Sequence, residues 1–256
     1  MPELILKKMF EDYREGDQDV FKGGLLVTRL IEDNLDMLWI HKQLEDLANK
    51  IQANYNAENF LDCLRDCGFQ GAINYSDKKL SSIEYVLRKK KGIPISLAMV
   101  IIGIGDLLGF RIKGINFPGH FLLRFNDLLI DPHGLKTIDV GTNVVLNNRM
   151  YYIHPKKLIE TNGLKIVSRM LSNLRLLAIS QNDFSKAIEY CSYQILLENI
   201  NFQLYIERAS LFLNYGEKEN ALQDIEKAIL DAPSEAVRER LIVNRDKITK
   251  TTRIIH

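Results

Sequence analysis

From Pro94 to Leu108 the chain reads Pro-Ile-Ser-Leu-Ala-Met-Val-Ile-Ile-Gly-Ile-Gly-Asp-Leu-Leu, with Asp106 its single charge. Proline is at home in the first turn of a helix, and a helix apolar on every side has no face to offer water. This segment must therefore be surrounded, and the fold has to be built around it. It falls short of the roughly 18 uncharged apolar residues that a membrane span needs. After Gly109 the pattern alternates in short runs, Phe110 to Asn116, Phe121 to Phe125 and Leu128 to Asp131, separated by Pro118-Gly119 and Asn126-Asp127. Runs of this kind between turn residues predict an antiparallel meander. A buried helix feeding a small antiparallel sheet defines an α+β core.

The flanks read differently. The first seventy residues are helical in pattern: Leu25 to Glu32 is amphipathic, and Leu38, His41, Leu44, Leu47 and Ile51 fall near one stripe. Asn59 to Cys67 forms a further helix that stops at Gly68. Gly71 to Asp77 is a turn-rich connection. Ser81 followed by Glu84 predicts a capping box for a helix that ends near Lys91-Gly92. Thr137 to Glu160 mixes a strand-like Val144-Val145-Leu146 with a loop-like Asn147-Asn148-Arg149.

Composition narrows the function. With 34 Lys+Arg against 33 Asp+Glu, a formal charge of +1 gives no global electrostatic reason to expect nucleic acid or an anionic membrane. Three cysteines in a chain of this length argue against a disulfide framework and for a reducing compartment. The start, Met1 to Ile5, lacks a basic region followed by an apolar signal core, so a cytoplasmic location is expected. Cys63 and Cys67, four apart on a helix, have no matching His or Cys pair and read as small buried hydrophobes, as does Cys191. No metal or cofactor is expected.

The last ninety residues are helical and repeat. A shift of 34 sets Leu177 on Leu211, Ala187 on Ala221 and Ile188 on Leu222. A helix–turn–helix of that period resembles the tetratricopeptide repeat. Phe202 to Glu235 carries the small residues that let paired helices approach, Ala209, Gly216, Ala221 and Ala228, and ends in Pro233. The unit before it, about Ser168 to Asn201, is degenerate: Arg175 and Gln194 stand where Ala209 and Ala228 sit. Ser234 to about Lys250 reads as a capping helix. Arg238, Arg240, Arg245, Lys247, Lys250 and Arg253 give this tail a modest positive face. Two units are thus expected, residues 1–162 and 163–256.

Candidate chemistry gathers in Gly92 to Ala98, Asn116 to Phe121 and Leu129 to Gly134. A helix start, then His120, then Asp131 near the end of the next strand resembles the chain order of the transglutaminase-like superfamily, whose papain-like core uses a Cys at the helix N-terminus, a His and an Asp. The segments Gly68 to Gly71, Tyr75 to Asp77, Gly92 to Ala98, Gly114 to Arg124 and Ile130 to Pro132 together resemble the SirB-type transglutaminase-like proteins of bacteria. That resemblance implies a helical N-terminal part, a transglutaminase-like core and C-terminal tetratricopeptide repeats. It departs at His133-Gly134, where an aromatic residue followed by a polar-Gly-Gly stretch is usual.

The departure that matters is the nucleophile. The reactive Cys of the thiol enzymes stands about four residues before a small helix residue, here Ala98, which places Pro94 at its position. Ser96 offers a hydroxyl two positions on, but that step turns a helical side chain by about 200°. It is either a weak candidate nucleophile or a core-facing hydroxyl. His120 and Asp131 either retain a use in binding or catalysis or tie two strands together. A cluster of His120, Asp131 and His133 has the spacing of a weak metal site. Arg124 and Asn116 are candidates to line the cleft, Arg124 by strand parity with His120. The favoured expectation is a non-catalytic module that binds protein or peptide and is regulatory, the family taking its name from a regulatory locus. The rival is a hydrolase or acyltransferase that uses His120 and Asp131 with Ser96 or an activated water.

Overall fold

Helices α1 (Glu3–Glu15), α2 (Val20–Ile31), α3 (Met37–Ile51) and α4 (Ala57–Asp66) open the chain in the computed structural model, which describes residues 3–51, 57–146, 149–198 and 201–251. The face that α3 buries is Ile40, Leu44, Leu47, Ala48 and Ile51, a closer fit to a 3.6-residue period than the stripe read from the sequence. Leu38 is 86% exposed and His41 points to solvent. After β1 (Gln70–Gly71) and a 3₁₀ turn comes α5 (Ile83–Lys89), capped by Ser82, whose Oγ accepts from Tyr85 N at 3.1 Å. The cap thus lies one residue beyond Ser81. Glu84, freed from the capping box, instead accepts from Asp36 N and pairs with Arg88. Arg88 also stacks over the Trp39 ring at 3.8 Å.

A short parallel pairing joins β1 to β2 (Lys91–Gly92), and α6 (Pro94–Leu107) follows directly. Every residue of α6 from Pro94 to Gly105 is buried, against α2, α3 and α5 on one side and the sheet on the other. Strands β3 (Ile112–Ile115), β4 (Leu122–Phe125), β5 (Leu128–Asp131) and β6 (Lys136–Ile138) form the antiparallel meander. The β4–β5 hairpin turns through Asn126, whose φ of 53° is a conformation Asn tolerates well. A separate hairpin, β7 (Asn143–Leu146) with β8 (Arg149–Tyr152), settles the mixed segment; Arg149, read as loop, begins a strand. Strand β9 (Glu160–Thr161) adds to β3 and gives the sheet order β6-β5-β4-β3-β9. Asn147 and Asn148 lie outside the described residues, as do Met1, Pro2 and Arg253.

The chain divides into two units, Met1–Met170 and Leu171–His256, within α7 (Gly163–Ser180). In the second unit α8 (Phe184–Leu197) packs on α9 (Phe202–Tyr215), α9 on α10 (Lys218–Leu230) and α10 on α11 (Glu235–Thr251). Ala187, Ala209, Ala221 and Ala228 are buried where these helices meet. Where the first pair lacks small residues, polar groups fill the space. Arg175 pairs with Glu207 and reaches Cys191 Sγ at 3.3 Å, while Gln194 Nε2 donates to Ser172 Oγ at 2.8 Å. Beside them Arg208 grips Asp224 through two bonds of 2.7 Å, with the carboxylate 2% exposed. Asp224→Ala strands that half-buried guanidinium; the expected cost is about 3 kcal/mol, read as a lower urea midpoint of the helical tail. No helix among the described residues is long and apolar enough to cross a membrane.

Candidate functional site

The sheet presents His120 through a tight detour. Past β3 the backbone doubles back, Phe117 N donating to Ile115 O at 2.9 Å and His120 N to Phe117 O at 3.2 Å. Gly119 takes φ +73°, and a Cβ there would also meet Tyr151 Oη at 2.6 Å. Glycine is therefore required on both counts. His120 consequently sits ahead of β4 instead of on it, so strand parity does not carry over from His120 to Arg124. Arg124 turns to Leu158 O at 3.4 Å and to Glu160 at 3.6 Å across β3, away from His120.

His120 and Asp131 meet as the chain order suggests. Nε2 lies 2.8 Å from Oδ1 of Asp131, and the residues are both 3% exposed. With the carboxylate ionised, Nε2 donates, which leaves Nδ1 as the acceptor of the neutral ring. Among the described residues no hydrogen bond reaches Nδ1. Burial pushes the Asp131 carboxyl up, but the hydrogen bond from His120 and that from the His133 amide, with the attraction of the two imidazoles, outweigh it and hold it below the ordinary carboxylate range.

His133 closes the arrangement from the other side. Its amide donates to Asp131 Oδ1 at 2.9 Å, and its Nε2 donates to Ala72 O at 2.9 Å. Gly71 N in turn donates to His133 O at 3.1 Å. The ring rests on Gly71, where a Cβ would fall 2.1 Å from Cδ2. It stands edge-on to His120, with centroids 6.3 Å apart, and to Tyr75 at 6.1 Å. The Tyr75 hydroxyl is buried without a hydrogen-bond partner among the described residues, and burial together with the Asp131 charge pushes it up to about 12. The contacts of His133 are hydrogen bonds and ring edges; no group of three or more His, Cys, Asp or Glu among the described residues is placed to hold a metal.

Arg169 on α7 anchors the His120 loop. Its guanidinium donates to the Asn116 side chain, to Phe117 O at 3.0 Å and to His120 O at 2.9 Å, and lies 5.7 Å from the Phe121 ring. Asn116 is thus engaged in holding the loop. Arg169→Met removes three charge-assisted bonds at once. The expected result is a loss of about 2 kcal/mol, with broadened His120 ring signals in NMR spectra.

At the nucleophile's expected position stands Pro94, buried, as the first residue of α6. The Ser96 hydroxyl is 0% exposed and donates to Leu80 O at 2.6 Å, with Ile93 O at 3.1 Å. Its proton is committed to the backbone of the 3₁₀ turn and not to His120. Cys63 and Cys67 lie on and just after α4, half-buried where the sequence suggested full burial, and Cys191 is in the second unit. Sequence reading gives no site role to Arg169, Tyr75 or Tyr151. Arg169 is some fifty residues from its partners along the chain, so no local spacing signals it. Tyr151, which covers Gly119 and stands edge-on to Phe117 at 5.7 Å, is brought there by the β7–β8 hairpin.

The family described as the transglutaminase-like superfamily matches residues 38–172, slightly more than half of the chain. A UPF0162 protein of Vibrio cholerae is 25% identical over 193 residues, covering 66% of this chain and 70% of its own. A UPF0162 protein of Pseudomonas aeruginosa is 27% identical over 214 residues, covering 77% and 79%. Human F-box only protein 21 is 28% identical over 146 residues, which cover 50% of this chain but 22% of that protein. No solved structure matches. The superfamily match spans α6, the meander and the His120–Asp131 pair, and on it the chain belongs to the transglutaminase-like superfamily.

Proposed function

We propose that this chain is a non-catalytic, SirB-type member of the superfamily, a cytoplasmic module that binds protein or peptide and acts in regulation. One observation carries the reading: His120 and Asp131 are assembled and buried, while Pro94 occupies the start of α6 and the Ser96 proton is given to Leu80 O. An imidazole that is oriented but has no nucleophile to deprotonate still offers Nδ1 to a hydrogen-bond donor on a ligand. The second unit supplies the other arm of the proposal, a tetratricopeptide-type tail. Its support is the spacing: α8 and α10 begin at Phe184 and Lys218, the same 34 residues apart as the buried Ala187 and Ala221. Helix pairs of that kind present a concave surface to peptides.

The test uses the full chain as bait in quantitative affinity capture beside His120→Ala and a chain ending at Met170. The reading predicts that binding weakens in both variants. Binding indifferent to both removes the recognition role from the core and the tail alike, and His120-dependent turnover of ester or amide substrates refutes the non-catalytic assignment.

A further inference from the structure

The helical N-terminal part holds a cleft unrelated to the His120 site. It has a volume of about 390 Å³ and lies among α1, α2 and the start of α3. Cavities that accept small ligands begin at roughly this size, about 300 Å³. All its lining residues, from Met9 to Met37, precede the segment matched to the superfamily.

Its walls are apolar and adaptable. Leu25 and Leu26, both buried, form the α2 side, and the half-buried thioethers of Met9 and Met37 face them from the neighbouring helices. Methionine is flexible and polarisable, and suits ligands of variable shape. The charges at the rim do not balance once their partners are counted. Lys22 is paired with Asp17 at 2.8 Å, and Asp12 with Lys8 at 2.9 Å. Arg29, half-buried on the wall, has neither ion pair nor hydrogen bond among the described residues. A guanidinium half withdrawn from water beside an apolar cleft favours an occupant with an acid group, since Arg binds a carboxylate through two parallel bonds.

We propose that this cleft binds a small amphiphilic carboxylate, its apolar body between Met9, Leu25, Leu26 and Met37 and its acid head on Arg29. The proposal is independent of the function assigned to the His120 site.

Decanoate is the probe and decanol, with the same chain and no charge, the control. Titration calorimetry with the full chain is expected to show decanoate binding about tenfold more tightly than decanol, the worth of a single charge-assisted contact. In Arg29→Gln the two are expected to bind alike, and Arg29→Lys should restore part of the difference. The chain has six methionines, and with ¹³C-methyl labelling decanoate should shift Met9 and Met37 but leave Met99, Met150 and Met170 in place. Equal binding of decanoate and decanol to the unaltered protein, no binding by either, or shifts that spare Met9 and Met37 would each overturn the proposal. Because the decanol comparison needs no variant, poor folding of Arg29→Gln does not blunt the test.

Discussion

A cysteine placed at position 94 is expected to become the most reactive thiol in the protein. Pro94→Cys puts sulfur at the first residue of α6, where unpaired backbone N–H groups and the helix dipole favour a negative charge. In the superfamily's chain order the same position carries the thiol that works with a His, so the introduced sulfur is expected to face His120, whose Nδ1 is unengaged among the described residues. Thiols in such surroundings ionise about one to five units below the free value of about 8.5. The burial of Cys191 instead raises its thiol, with Arg175 opposing, and burial also raises Cys63, with Cys67 next in effect. Iodoacetamide at about pH 6, read by peptide mass spectrometry, should therefore modify the introduced thiol of Pro94→Cys at least about tenfold faster than Cys63. Adding His120→Ala should slow that reaction markedly, leaving the contribution of the helix alone. An introduced thiol that reacts no faster than Cys63, or whose rate ignores His120, would mean that position 94 does not face the imidazole.

The second large effect concerns Asp131. Its carboxylate serves two donors at once, His120 Nε2 and the His133 amide, with the His120 and Asp131 side chains 1% and 4% exposed. Asp131→Ala leaves both donors without that partner, the buried His120 Nε2 and the half-buried His133 amide, and a loss of about 4 kcal/mol is expected. Against a domain stability of about 5–15 kcal/mol, that is enough to melt the protein near ambient temperature if it begins at the low end. Asp131→Asn keeps the shape and one acceptor, so its loss should be smaller. The comparison with Asn also has a pH signature. Because the folded carboxyl lies below its ordinary value, its contribution to stability is complete above the unfolded pKa of about 3.9 and disappears as pH falls through the lower folded value. The difference in Tm between the unaltered protein and Asp131→Asn should hold constant from about pH 7 to 5 and shrink below about pH 4. A difference that grows on acidification would contradict the assigned ionised carboxylate.

How much of this was written in the sequence depends on distance along the chain. The apolar run from Pro94 determines a buried helix because no register of a 3.6-residue period gives it a wet face. The meander was legible because Asn126-Asp127 leaves only a short hairpin between β4 and β5, and that hairpin brings Asp131 back beside His120. Boundaries were less legible. Ser81 and Ser82 are equally good caps by composition, and Ser82 is used because its backbone leaves the 3₁₀ turn in an extended conformation. The spacing predicts His120 on a strand; the positive φ of Gly119 takes it off, and Tyr151 leaves no room for a side chain at that glycine. Partnerships across many residues were not legible at all. Neither the grip of Arg169 on residues 116–120 nor the seat of His133 on Gly71 has any local pattern, and Leu80 O as the acceptor for Ser96 requires the 3₁₀ turn to be in place first.

The most direct measurement of the central claim is covalent labelling of the unaltered protein with an active-site-directed acyl probe, followed by intact-mass and peptide mapping, beside His120→Ala. With Pro94 at the head of α6 and the Ser96 proton held by Leu80 O, the account predicts no adduct that depends on His120. A stoichiometric acyl adduct on Ser96 or any other side chain, lost in His120→Ala, would contradict it.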